Sequence, residues 1–286
     1  MAGVPVSDPG VSDCVTNVLE EDTECSDESD TSSCEDNIDV HSEEDSEIET
    51  GVSDTEDDQQ IGPTVKGLLY ISGSQKDSHL ITSEMWSTYG ASVYRCIMSE
   101  QRFRFLLTRL RFDDKDSRNR ADKFGPIREL RSLFVSNCNN YEPRVYVTID
   151  EQLPGFRGKC PFRIYISSKP DRYGIKTVTM CDVRTYYMVN AIPYIGKEER
   201  NTKTVHAYTV SRATRRWPLR MFYGVLDQTA INDMVLFTHV KRPNKFSRRQ
   251  FLKDLGHQLA KPHMKNRLNK NLPNELRTTI MPILGI

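Results

Sequence analysis

The apolar period of this chain changes near Asn140, and that change limits what the chain can fold into. Upstream, apolar residues recur at helical spacing. Val65, Leu68, Leu69 and Ile71 give a short helix before Gly73, and Ser83 to Thr88 suggests another. Phe103, Leu106, Leu107 and Leu110 form a stripe over Ser99 to Arg111, with Ser99 placed as a cap. Ile127, Leu130, Leu133 and Phe134 repeat the pattern after Pro126, and the polar run Asn137 to Asn140 ends it. From Arg144 to Asp150 the period becomes two, which puts Val145, Val147 and Ile149 on one face of a strand and Asp150 on the other. Phe162 to Ser167, Ile175 to Asp182 and Thr185 to Ile195 read as further strands, with Lys169-Pro170 and Tyr173-Gly174 as turns between them. The pattern predicts a three- to four-stranded antiparallel meander with flanking helices. After the polar stretch Lys197 to Lys203 a long helix runs from Pro218 to about His239, a second from Phe246 to Leu259, and a polar tail closes the chain.

Charge divides the chain differently. Residues 1–60 hold 21 Asp and Glu and no Lys or Arg, while residues 61–286 carry 19 acids against 39 bases, so a net charge of −1 conceals an acidic tail on a body of about +20. The tail has few aliphatics and no aromatics, too little apolar surface to offset the entropy of ordering, and is expected to be disordered. The body attracts polyanions, because each cation that meets a phosphate releases a condensed counterion. Nucleic acid is the partner this charge points to, with a merely solubilising basic surface as the plain alternative.

Other classes are excluded by what the sequence lacks. The seven cysteines, Cys14, Cys25, Cys34, Cys96, Cys138, Cys160 and Cys181, include no CxxC pair, so neither a disulfide framework nor a zinc module is suggested. No apolar run is long enough to span a bilayer, so no membrane partner is expected. There is no Gly-x-Ser-x-Gly, no phosphate-binding loop of the Gly-x4-Gly-Lys-Ser/Thr kind, and no HxH or HxxxH spacing.

The segment Thr148-Ile149-Asp150-Glu151-Gln152-Leu153, followed by Gly155-Phe156-Arg157-Gly158, Cys160-Pro161-Phe162-Arg163, Lys169-Pro170, Tyr173-Gly174-Ile175-Lys176 and Met180-Cys181-Asp182, strongly resembles the central block of piggyBac-type transposases. Arg102-Phe103 through Lys115 upstream, and Ser211-Arg212 through Arg215-Arg216-Trp217-Pro218 downstream, are similar to the family's flanking segments. The resemblance implies an α/β fold with an RNase H-like core, and DNA cleavage and joining by three aspartates that hold two divalent metal ions. Such ions prefer carboxylate oxygens and, in pairs, stabilise the attacking and leaving oxygens of phosphoryl transfer. Asp150 matches the first of these aspartates. The Asp-Asn-aromatic strand of the second and the Gly-Gly-Val-Asp-like stretch of the third have no counterpart, so the resemblance implies an incomplete core that has lost an internal piece between Gly196 and Val205. The cysteine-rich metal-binding end seen in many members is also absent from this sequence.

Four segments are expected: a disordered acidic tail (1–60), a helical region preceding the core (63–143), a partial RNase H-like core (144–240) and a basic helical carboxyl-terminal segment (241–286). The resemblance implies that Asp150 is a relic of the family's first catalytic aspartate. Asp182, ending a strand that pairs beside it, is the candidate substitute ligand, with a turn residue as its plain alternative. Asp227 and Asp233, six apart on a helix, lie about 120° from a common face and form no ready pair. The inactive reading expects no cofactor; the active alternative expects Mg2+ on Asp150. Arg157, Lys159, Arg163, Lys169, Arg172 and Lys176 crowd a segment whose one acid is Asp171, and are the candidate DNA-binding residues. Phe156, Phe162, Tyr165 and Tyr173 are interleaved with them and are read as core, with stacking on exposed bases as the alternative. Lys241-Arg242 and Arg248-Arg249 form a split basic cluster compatible with nuclear import, and self-association is a further expectation.

Overall fold

The computed structural model describes residues 4–5, 58–119, 121–169, 171–195, 209–241, 246–270 and 272–286, with side chains from residue 62 onward. Among the described residues five α-helices lie ahead of the central strands: α1 (Asp58–Gln75), α2 (Thr82–Trp86), α3 (Ser92–Ile97), α4 (Glu100–Arg109) and α5 (Gly125–Cys138). Their starts follow local chemistry. The Ser99 hydroxyl accepts the Arg102 N–H at 3.3 Å and caps α4, and Pro126 occupies the first turn of α5, where its missing N–H costs nothing. Leu68, Leu69 and Ile71 on α1 are fully buried, and Trp86 stacks on Tyr94 and Phe103 at ring distances of 5.3 and 4.9 Å.

The main sheet has the order β1-β2-β5-β6, all antiparallel, with β1 at Val4–Pro5, β2 at Tyr146–Gln152, β5 at Thr177–Asp182 and β6 at Met188–Pro193. The meander expected from the sequence is thus β2-β5-β6. Two details differ. Phe162 to Ser167 does not join it: only Ile164–Tyr165 (β3) is extended, and it pairs in a separate small ribbon with Tyr173–Gly174 (β4), which was expected as a turn. Val145, expected on the buried face, is exposed, because β2 begins one residue later.

The expected disordered tail lies mostly outside the described residues. Within it, Val4–Pro5 form a strand on the edge of β2, with Val4 opposite Val147 and Pro5 opposite Tyr146, and residues 58–60 belong to α1. The first seven residues are the longest stretch of the tail's beginning without a charged side chain, so β pairing there brings no carboxylate to the sheet edge.

Three helices follow: α6 (Trp217–Lys241), α7 (Arg248–Leu268) and α8 (Asn274–Leu284). Helix α8 corrects the expectation of a polar tail. Leu276, Ile280, Ile283 and Leu284 make an apolar stripe, Ile280 is fully buried, and the intervening Pro282 is what disguises the pattern. Helices α5 and α6 pack with β6, where Asn232 on α6 acts as a bolt. Its Nδ2 donates to the Met188 carbonyl (2.9 Å) and to Cys138 Sγ on α5 (3.3 Å), while its Oδ1 accepts the Met188 N–H (2.8 Å).

Helices α1 and α7 cross backbone to backbone. A Cβ on Gly67 would lie 2.7 Å from the Gly256 carbonyl oxygen, and a Cβ on Gly256 equally close to that of Gly67. Neither obstacle is a side chain that can swing aside. Gly67→Ala is therefore expected to destabilise the protein by about 1–3 kcal/mol, the usual cost of overpacking, despite alanine's better helix propensity. Urea denaturation of the variant checks this; unchanged or raised stability would show that the helices separate at little cost.

Candidate nucleic-acid interface

Asp150 sits on β2 directly opposite Thr179 of β5, and its Oδ1 accepts the Glu151 N–H at 2.7 Å. Side chains alternate along strands, so Asp150 shares its face with Thr148 and Gln152. That face lies toward α6, where Gln228 Nε2 donates to Gln152 Oε1 at 2.6 Å. Thr179 Oγ1 donates to the Asp150 carbonyl oxygen at 3.0 Å, tying the two strands at this point.

Asp182 is placed elsewhere. It lies opposite Val147, three residues along β2 from Asp150 and therefore on the other face, roughly 10 Å away along the strand. Its carboxylate is fully buried and occupied: Oδ2 accepts the Arg144 N–H at 2.8 Å, and Oδ1 accepts the N–H groups of Arg184 and Thr185, both at 2.9 Å. Burial pushes this carboxyl up, but the N–H groups of Arg144, Thr185 and Arg184 together outweigh it and hold the pKa below the usual carboxylate value. The candidate second ligand is the anchor of the β5–β6 turn, where Tyr186 adopts a left-handed φ of 61°.

The remaining acids do not replace it. Asp227 accepts from Thr209 Oγ1 (2.6 Å) and the Val210 N–H (2.9 Å), fixing the segment that leads into α6. Burial pushes the Asp233 carboxyl up, which favours its neutral form. Among the described residues no three His, Cys, Asp or Glu side chains cluster to hold a metal ion. The described residues around Asp150 therefore do not fit the two-ion site that the resemblance implies.

The six candidate DNA-binding residues divide. Arg157, Lys159 and Arg172 line a cleft of ≈ 1070 Å³ between the 155–159 loop, the 171–173 segment that enters β4 and the segment 209–215. Arg163 stands behind it, its Nη1 donating to the carbonyls of Arg157 (2.8 Å) and Gly158 (3.1 Å). Lys169 lies outside the lining, in the turn closed by its own N–H on the Ile166 carbonyl. Lys176 is buried and belongs to a different structure: its Nζ is 2.7 Å from Glu151 Oε1, and both side chains are 4% exposed. The contact has ion-pair distance without hydrogen-bond geometry, and among the described residues neither Glu151 oxygen has a hydrogen-bond donor. Lys176 cannot meet DNA without breaking that pair.

Three further cations reach the cleft from 50 residues downstream: Arg212, Arg215 and Arg220. Their roles differ. Arg212 is a clamp, donating to the Asp77 and Leu80 carbonyls at 2.7 Å each. Arg215 is exposed. Arg220, in the first turn of α6, has an Nε without a hydrogen-bond partner among the described residues, and burial pulls its guanidinium down from the ordinary value while Asp227 and Asp171 partly offset this. Neighbouring Arg216 turns away to cap α4, donating to the carbonyls of Leu107 (2.8 Å), Thr108 (3.0 Å) and Leu110. Sequence reading assigned Arg212 to Arg216 only to a matching segment; the available signal was the density of cations, which says nothing of which ones face outward. The glycine of the opposite wall is dictated by this contact, since a Cβ on Gly158 would lie 2.7 Å from the Arg215 carbonyl oxygen.

A four-stranded antiparallel sheet flanked by helices, with a cationic cleft beside it, makes this an α/β protein with a surface suited to a polyanion. A family model described as Transposase IS4 matches residues 63–206, half of the chain. The chain belongs to the piggyBac-type transposase family. Among solved structures it is similar to a piggyBac transposase in a synaptic complex with hairpin DNA, at 24% identity and a TM-score of 0.72, over 79% of this chain and 76% of that one. At that identity the likeness is one of fold.

Proposed function

We propose that this protein binds DNA through the cationic cleft and does not cut it, its incomplete RNase H-like core retaining Asp150 as a relic. The observation that carries the binding is the cleft lining: Arg157, Lys159, Arg172, Arg212, Arg215 and Arg220 against one acid, Asp171. A polyanion is the complement of such a surface. The DNA held by the similar solved structure supports the same partner. The non-cutting half rests on Asp182, whose carboxylate is consumed by three backbone donors on the opposite face from Asp150. The reading carries the protein to the nucleus, where Lys241, exposed at the end of α6, and the cluster that follows it would serve import.

Fluorescence anisotropy with duplex DNA across a salt series tests the binding. Affinity is expected to fall linearly in log–log form, and the joint change Arg157→Ala, Lys159→Ala, Arg215→Ala to flatten the slope by about 1 per cation removed and weaken binding by on the order of tenfold or more. Affinity independent of salt would remove the basis of this reading. A nicking and strand-transfer assay with Mg2+ or Mn2+ tests the other half: no cleavage is expected, and robust cleavage abolished by Asp150→Ala would overturn it.

A further inference from the structure

Two of the four aromatics read from the sequence as core are not in the core. Phe156 and Phe162 are buried, but Tyr165 and Tyr173 are 52% and 43% exposed. They stand directly opposite each other on β3 and β4, with ring centres 4.9 Å apart and planes at 53°. Tyr173 lines the cationic cleft. Arg163 lies over its ring at 5.2 Å and, through its bonds to the Arg157 and Gly158 carbonyls, ties this pair to the loop that carries Arg157 and Lys159.

Resting on the reading of the cleft as a DNA site, we propose that it takes an unpaired DNA segment, with phosphates on Arg157, Lys159, Arg172 and Arg215 and a base stacked on the Tyr165–Tyr173 platform. In a duplex each base face is covered by its neighbours, so an exposed ring beside the backbone track gains little. An unpaired base has an open face, and stacking it on tyrosine is tolerant of sequence. The tilt leaves Tyr165 the more open ring, since Arg163 already covers one face of Tyr173. A purely local role is the competing account: a cross-strand tyrosine pair also steadies a two-residue ribbon. That account predicts a change in stability and none in the choice between DNA forms.

The full chain is titrated with labelled oligo-dT and with a duplex of the same length at one salt concentration. Wild type is expected to favour oligo-dT. Tyr165→Ala is expected to weaken oligo-dT binding by on the order of tenfold while duplex binding stays within about twofold, and Tyr165→Phe to behave as wild type. Should Tyr165→Ala lose cooperative unfolding, Tyr165→Leu keeps the apolar cross-strand contact without a π face and is expected to show the same selective loss. Equal loss on both probes, or none on either, overturns the stacking platform while salt-dependent duplex binding leaves the cleft's DNA role standing. Binding to neither probe by wild type overturns both.

Discussion

Lys176→Ala is expected to lower the stability of the protein by about 3–5 kcal/mol, the largest effect of any single change considered. Lys176 and Glu151 are 4% exposed, 2.7 Å apart, and lie next to the aspartate that marks the family. Their mutual attraction offsets the cost of removing both charges from water only while both are present. Removing the lysine leaves a carboxylate whose two oxygens have no hydrogen-bond donor among the described residues, and no described neighbour offers a replacement cation. Stability is lost through the stranded charge more than through the missing contact. Replacing both at once, Glu151→Leu with Lys176→Met, removes the stranded charge as well and is expected to restore most of the loss or exceed wild type. Urea denaturation of the three variants decides the matter: a Lys176→Ala protein within about 1 kcal/mol of wild type would mean that water reaches the pair.

This residue also shows how far the sequence could be read. Six cations within twenty residues look alike in a sequence, because charge does not record the face on which it stands. Alternation does record it in a regular strand, and it correctly put Glu151 on the side of β2 opposite Asp150. Lys176 was read inside a strand from Ile175 to Asp182 but lies just ahead of β5, and alternation gives a face without telling how deeply that face is covered, so its burial was not legible. The same distinction separates the rest. Helices with uninterrupted stripes, such as α4 and α5, were read to within a few residues, whereas α8 was hidden by Pro282 and the β3–β4 ribbon by its two-residue strands. Half of the cleft was illegible for a different reason. Arg215 and Arg220 come from a segment remote in sequence, and their meeting with Arg157 depends on how α6 packs, which no local pattern encodes.

The fate of Asp182 bears directly on whether the family's chemistry persists. A metal ligand and a turn anchor make opposite demands on a carboxylate: the first must leave oxygen lone pairs open to a cation, while the second spends them on N–H groups. Asp182 spends them on Arg144, Arg184 and Thr185, and so joins the start of β2 to the β5–β6 turn. Asp182→Ala is accordingly expected to destabilise the protein by about 2–4 kcal/mol at neutral pH, since buried donors are left without an acceptor. The pH dependence identifies the cause. The folded-state pKa lies below the ordinary carboxylate value, so the anchor's contribution is fully present above the unfolded-state pKa near ~4 and is lost as pH falls through the folded value. The gap in stability between wild type and Asp182→Ala should therefore be widest near neutrality and narrow progressively in acid. Denaturation curves for both proteins from pH 7 downward measure it. A gap that stays constant to the acid limit would show that the ionised carboxylate is not what holds the turn, and would return Asp182 to consideration as a ligand.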